Sequence, residues 1–234
     1  MSARVAVLAS GGGSNLQAIV DYLDTLAPRA GASVELVASD RVAAGALERA
    51  RARGIAMVHL DAARRGDAMA DLLESYDVDV IALAGYLRFV PAAVTQRWRG
   101  RILNVHPSLL PAFGGAGMYG LRVHQAVVDA GVRVTGATVH FVDEEYDRGP
   151  IIAQWPVPVL SHDTAETLAR RVLVAEHALF PRAVHGVAEE RITLGPDGRV
   201  AGVGESFPEC AVFALASVDG PPAVSDVFAN QRAP

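Results

Sequence analysis

The sequence predicts an α/β protein with a doubly wound, mostly parallel sheet and antiparallel strands in its C-terminal part. Three observations carry that prediction. Strand patterns alternate with helix patterns through the first hundred residues, and such alternation builds parallel sheets. The early strands are continuous apolar runs, as in strands buried on both faces. Two later strands are joined by an acidic turn with no helical pattern between them.

Arg4-Val5-Ala6-Val7-Leu8-Ala9 is the first strand, and Gly11-Gly12-Gly13 breaks it. Ser14 opens a helix with Leu16, Ile19, Val20 and Leu23 at helical spacing. Val34 to Ser39 is a second strand, followed by an Ala- and Arg-rich helix ending at Gly54. Ala56 to Leu60 is a short third strand, and Ala68 to Tyr76 is helical. Val78 to Ala84 is the fourth strand, ended by Gly85. Pro91 starts a short helix where proline is tolerated. Arg101-Ile102-Leu103 leads a fifth strand into Asn104-Val105-His106-Pro107. Phe113 to Gly120 holds four glycines in eight residues and reads as a loop. Leu121 to Ala130 is helical, Val132–Val142 and Ile151–Val159 are strands, and Asp163 to Val187 is a long helix. Thr193 to Val203 fits a hairpin around Pro196-Asp197-Gly198.

The chain has 234 residues, 51% of them apolar, and a formal net charge of −5. That length can bury a sizeable core, and the acidic balance gives no argument for nucleic acid or an anionic membrane. The single cysteine, Cys210, excludes a disulfide framework within one chain and lies far from every motif, so it reads as structural. The N-terminus enters a strand at once, and no apolar run approaches the ~20 residues of a spanning helix. A cytoplasmic protein is expected.

Parallel sheets of this kind bind ligands at the carboxyl ends of their strands. Three strand ends carry unusual residues: Gly11–Ser14, Gly85–Arg88 and Asn104–His106. Their coincidence points to one composite site. In Ser10-Gly11-Gly12-Gly13-Ser14-Asn15-Leu16, glycines permit close backbone approach, and the helix start favours an anion. A dinucleotide loop would place a glycine where Leu16 stands, and a Walker loop would need a lysine that is absent from this stretch. The loop therefore favours a phosphate monoester over NAD or ATP. The plainer reading is a tight turn with Ser14 capping the helix.

Asn104 and His106 are two apart on an extended chain and point the same way. An amide can hold a developing oxyanion while an imidazole moves a proton, which suits chemistry at a carbonyl. Asp143, Glu144, Glu145 and Asp147 crowd the turn between the later strands. Any of them brought beside His106 would favour the imidazolium and raise its pKa. His140 on the preceding strand faces either this cleft or a hydrogen-bonded place in the sheet. His106, His140 and a carboxylate are also a conceivable zinc set, but no paired metal spacing occurs and no metal is expected. The remaining histidines, His59, His124, His162, His177 and His185, read as surface or core residues.

Taken together, these motifs resemble the glycinamide ribonucleotide formyltransferase family of purine biosynthesis, over about residues 4–190 in the same order. The glycine loop looks like its phosphate loop, and Ala84-Gly85-Tyr86-Leu87-Arg88 resembles its folate-pocket strand end. Leu103-Asn104-Val105-His106-Pro107-Ser108-Leu109-Leu110-Pro111 resembles its catalytic strand. Gly136 to Val142 and Tyr146-Asp147-Arg148-Gly149-Pro150 fit its signature. The resemblance implies the formyltransferase fold with a Rossmann-like N-terminal half. It implies a one-carbon transferase that moves a formyl group from 10-formyltetrahydrofolate, the co-substrate, to the amine of N1-(5-phospho-D-ribosyl)glycinamide. By position, Asn104, His106 and Asp147 become the catalytic trio. Gly13, Ser14 and Asn15 would hold the phosphate. Leu87, Arg88, Phe89 and Val90, with Asn104, would line the folate pocket, and Arg64 or Arg65 would meet the folate tail.

The implied organisation is a formyltransferase domain over 1–195, with a phosphate-binding half at 1–100 and a catalytic, folate-binding half at 101–195. Residues 196–234 form an extension with no assigned role. Small-molecule substrates are expected, without nucleic acid or membrane, in a monomer or homodimer. Two departures from the family pattern stand out: the glycine-rich Phe113–Gly120 loop, and the long tail. The rivals are a formyl-folate hydrolase, which normally carries a regulatory domain before the loop, and a methionyl-tRNA formyltransferase, which should carry a basic face and a further domain. A non-catalytic binder of phosphorylated sugars would leave Asn104, His106 and Asp147 without a purpose.

Overall fold

A seven-stranded sheet organises the chain, with its strands, counted along the chain, in the spatial order third, second, first, fourth, fifth, sixth, seventh. The computed structural model describes residues 2–61, 66–204 and 207. Arg64, Arg65, Cys210 and the tail from 208 onward lie outside the described residues. The strands are β1 (Ala3–Leu8), β2 (Ala32–Ser39), β3 (Ala56–His59), β4 (Val80–Leu83), β5 (Ile102–His106), β6 (Val134–Phe141) and β7 (Ile151–Pro158). The first five run parallel; β6 and β7 join antiparallel.

The helices are α1 (Ser14–Leu26), α2 (Gly45–Ala52), α3 (Asp67–Ser75), α4 (Ala92–Arg97), α5 (Leu121–Asp129) and α6 (Ala165–Ala188). Alternation along β1 divides the core between the two faces of the sheet. Val5 and Val7 pack with Leu16, Ile19, Leu47, Val127 and Phe180 from α1, α2, α5 and α6. Ala6 and Leu8 pack on the other face with Met69, Leu73 and Val94 from α3 and α4. Each fully buried Leu or Ile among these contributes roughly 1.5–3 kcal/mol over its exposed state. Helices on both faces are the reason the inner strands read as unbroken apolar runs.

The chain winds outward from β1 to β3, then crosses back to place β4 on the other side of β1. That reversal opens a crevice at the carboxyl ends of β1 and β4, with β5 beside it. A small hairpin, β8 (Thr193–Leu194) with β9 (Val200–Ala201), follows α6. The expected domain boundary at 195 falls inside this hairpin, and Val200, Val203 and buried Phe207 pack on the main core.

Candidate active site

A cleft of about 320 Å³ opens at this crevice, within the range usual for small-molecule sites. Asn104 and His106 stand on one side of β5, while Leu103 and Val105 between and before them face the core. The antiparallel register sets Asn104 directly opposite His140 of β6 and His106 opposite Thr138. Cross-strand neighbours at that distance touch, and Asn104 Nδ2 lies 3.1 Å from His140 Nε2.

Asp147 comes from the β6–β7 loop and meets this group from above. Its backbone takes φ 54°, in the left-handed region, which Asp and Asn adopt more readily than other side-chain-bearing residues. One carboxylate oxygen, Oδ2, accepts the Gly115 N–H at 2.8 Å and lies 3.5 Å from His106 Nδ1. The other, Oδ1, lies 3.5 Å from Asn104 Nδ2 and 3.7 Å from His140 Nε2. The structure thus brings the three expected residues together and chooses Asp147 from the four carboxylates of the turn. His140 is the residue the sequence left between two readings, and it satisfies both. It is buried in the sheet and it completes the cluster. His140 Nδ1 donates to the Phe141 carbonyl oxygen at 2.7 Å, which leaves Nε2 as the acceptor for Asn104.

His106 is 3% exposed, and its Nε2 lies 2.9 Å from the Phe113 carbonyl oxygen. A carbonyl only accepts, so Nε2 carries the proton and Nδ1 faces Asp147. Burial pushes the imidazole below its ordinary pKa of 6.5; Asp147 and the Phe113 carbonyl pull the other way without overcoming it. This corrects the expectation of a raised pKa, because desolvation of a nearly enclosed ring outweighs one carboxylate at 3.5 Å. The neutral ring is the resting form at neutral pH. Burial acts on Asp147 in the opposite direction and pushes it upward, but His140, His106 and the Gly115 N–H together hold it below 3.8.

The phosphate loop divides. Gly13, not Ser14, occupies the N-cap of α1, at φ 75° and with no side-chain cap. A Cβ there would sit 2.7 Å from Ala46 Cα, so only glycine fits. Asn15 lines the cleft, whereas Gly13 and Ser14 are not among its lining residues. One hydrogen of Asn15 Nδ2 is committed to Glu176 Oε2 at 2.7 Å, so its second Nδ2 hydrogen and the unpartnered Oδ1 remain for a ligand. Leu87, Arg88, Phe89 and Val90 all line the cleft. Leu87 and Phe89 are exposed, and Phe89 meets Tyr146 edge-on at 5.1 Å. Arg64 lies outside the described residues.

Two lining residues escaped the sequence reading. Glu176 on α6 is a buried carboxylate, pushed above 4.5 by burial with Asn15 opposing. Its place among the apolar positions of a long helix was the available signal. His124 on α5, read as a surface or core histidine, is 4% exposed and lines the cleft with an unpartnered Nδ1. Burial, and then the nearby charge of His106, push it down to about 4. Among the described residues, no group of three His, Cys, Asp or Glu side chains is placed to hold a metal ion. No described helix is long and apolar enough to cross a membrane.

Residues 3–184 match the formyl transferase family model. A chloroplastic phosphoribosylglycinamide formyltransferase of Arabidopsis thaliana is 43% identical over 202 residues, covering 83% of this chain and 68% of that protein. The trifunctional purine biosynthetic protein adenosine-3 of Bos taurus is 43% identical over 87% of this chain, which spans only 20% of that longer protein. The crystal structure of glycinamide ribonucleotide transformylase 1 from Symbiobacterium toebii superimposes with a TM-score of 0.77 at 43% identity. That match covers 86% of this chain and 93% of the other.

Proposed function

The chain belongs to the formyl transferase family, in its phosphoribosylglycinamide formyltransferase branch, and on that premise we propose that it transfers a formyl group from 10-formyltetrahydrofolate to the amine of N1-(5-phospho-D-ribosyl)glycinamide. One observation carries the reading: Asn104, His106 and His140 converge on the Asp147 carboxylate at the end of a cleft that Asn15 of the phosphate loop also lines. An amide donor, a neutral imidazole and a fixed carboxylate are the parts that acyl transfer to an amine requires. We assign Gly13, Ser14 and Asn15 to the phosphate, Leu87 to Val90 with Asn104 to the folate, and residues 1–195 to the catalytic unit. We further propose that the reaction takes place in the cytoplasm, on small-molecule substrates.

The proton inventory follows from the resting state of His106. The amine attacks the formyl carbon, and the new C–N bond leaves a proton in excess on nitrogen. Neutral His106, through Nδ1 or an intervening water, takes that proton, and Asp147 at 3.5 Å stabilises the imidazolium formed. Asn104 Nδ2 turns a hydrogen toward the developing oxyanion. Its contact with Asp147 at 3.5 Å is the long one and gives way first. His106 then delivers its proton to the leaving folate nitrogen as the old C–N bond breaks. The proton lost by one nitrogen is the proton gained by the other.

The test is a formyl-transfer assay with and without the ribonucleotide. Formyl transfer that requires the ribonucleotide is the expected result. Donor consumption without it identifies a hydrolase, and no consumption with either substrate identifies a binder.

A further inference from the structure

Just behind the cleft, one buried carboxylate ties the phosphate loop to the segment assigned to the formyl donor. Asp40 follows β2, and its side chain is 3% exposed. Its Oδ1 accepts a hydrogen bond from Ser10 Oγ at 2.6 Å, and its Oδ2 accepts one from Arg88 Nε at 3.1 Å. Ser10, also buried, follows β1 in the same loop as Gly11 to Ser14. Its backbone N–H donates to the Gly85 carbonyl at 3.0 Å, and its Oγ accepts the Leu87 N–H at 2.9 Å. One serine and one aspartate therefore stitch together the ends of β1, β2 and β4. Neither lines the cleft.

The stitched segment lacks regular structure of its own. From Gly85 to Val90 the chain is neither helix nor strand, and it begins with a left-handed turn at Gly85, φ 75°. Such a stretch takes its shape from the groups that hold its backbone. Here Gly85 and Leu87 are both held by Ser10, and Ser10 Oγ is oriented by its short bond to Asp40. With the hydroxyl hydrogen committed to Asp40, the oxygen lone pairs remain to accept from Leu87. Arg88 closes the circuit from the far side.

We propose that Asp40, acting through Ser10, is a positioning residue that holds the Gly85–Val90 segment in the conformation that receives the formyl donor. The inference rests on the assignment of Leu87 to Val90 to the donor pocket. It predicts an effect on one substrate and not on the other, because Asp40 anchors the donor segment, whereas the Gly12–Gly13 turn is held separately against α2 by Arg49, whose Nε donates to the Gly12 carbonyl at 2.8 Å.

The test compares Asp40→Ala, Asp40→Asn and Ser10→Ala with the wild type, each checked for folding by its thermal melt. Asp40→Ala is expected to raise the KM for the formyl donor and the Kd for tetrahydrofolate, titrated alone by calorimetry, by about tenfold, the scale of one lost buried anchor. The KM for the ribonucleotide and kcat at saturation should stay within about twofold. Ser10→Ala should give the same split. Asp40→Asn, which keeps an acceptor for Ser10, should recover most of the donor affinity. Both KM values rising together, an unchanged tetrahydrofolate Kd, or Asp40→Asn as weak as Asp40→Ala would each overturn the proposal. A wild type that neither transfers formyl nor binds tetrahydrofolate refutes the donor-pocket assignment instead.

Discussion

Replacing Asp147 by Asn tests the catalytic cluster most directly, because it removes a charge and little else. Asn tolerates the left-handed backbone that Asp147 adopts at φ 54°, and its side-chain oxygen can still accept the Gly115 N–H. The loss is therefore the interaction between the carboxylate and the imidazolium formed on His106. At the 3.5 Å separation of Asp147 Oδ2 from His106 Nδ1, with an effective dielectric constant of ~20, Coulomb's law gives about 4–5 kcal/mol. At 1.36 kcal/mol per decade that is at most about three to four orders of magnitude in rate, within the ~10²–10⁴ span of general acid–base catalysis. We expect kcat to fall at least about a hundredfold in the formyl-transfer assay, with an unchanged circular dichroism spectrum. The pH profile carries a second signature. Neutral His106 is the proton acceptor, so kcat/KM rises with pH through its pKa, which burial sets below 6.5. Asp147 opposes that depression, so Asp147→Asn must move the acid limb to still lower pH. Turnover close to wild type, or an acid limb displaced upward, would refute this role for Asp147.

Other perturbations separate the remaining parts. Asn104→Ala should cost about 10²–10³ in kcat, as loss of an oxyanion donor does; steady-state rates at saturating substrates read it. Ser14→Ala should raise the KM for the ribonucleotide with kcat preserved, since a phosphate contact binds ground and transition states alike. Gly13→Ala should weaken the same substrate more strongly and lower Tm, because its Cβ would meet Ala46 Cα at 2.7 Å from a left-handed backbone; kinetics and a thermal melt check both. His124 supplies an acid-stability prediction. Its folded pKa is lowered to about 4 from 6.5, so the unfolded chain takes up a proton as pH falls below 6.5 and the folded chain does not. That penalty is absent above about pH 7 and grows to about 3 kcal/mol near pH 4, at 1.36 kcal/mol per unit. Urea unfolding between pH 7.5 and 4.5 should show a shallower loss of stability in His124→Gln, and an identical slope would contradict a buried neutral His124.

Much of the fold was legible because its determinants are local. Apolar runs such as Val5–Leu8 and Val80–Leu83 report strands covered on both faces, and the 3.6-residue spacing of Leu16, Ile19 and Leu23 reports a helix with one buried side. The acidic turn between β6 and β7 was legible as a turn. Its chemistry was not, because four carboxylates within five residues look alike until one of them is measured against His106. The family resemblance singled out Asp147; the residues alone left the choice open. The state of His106 went the other way. A carboxylate neighbour is easily imagined from sequence, while the enclosure that depresses the pKa is a sum over distant elements.

By itself, the sequence determined the strand–helix alternation, the Asn104–His106 pair on one face of β5, and the Gly11–Gly13 break between β1 and α1. Each depends on backbone periodicity or on the absence of a side chain, properties carried by a few consecutive residues. Only the tertiary structure decided which residues meet. The antiparallel register of β6 on β5 set His140 against Asn104, and the crossover from β3 to β4 brought Ser10 to Leu87. Packing of α6 across the sheet delivered Glu176 to Asn15 over 161 residues of chain. Those contacts arise from strand order, register and burial, and no window of neighbouring residues contains them.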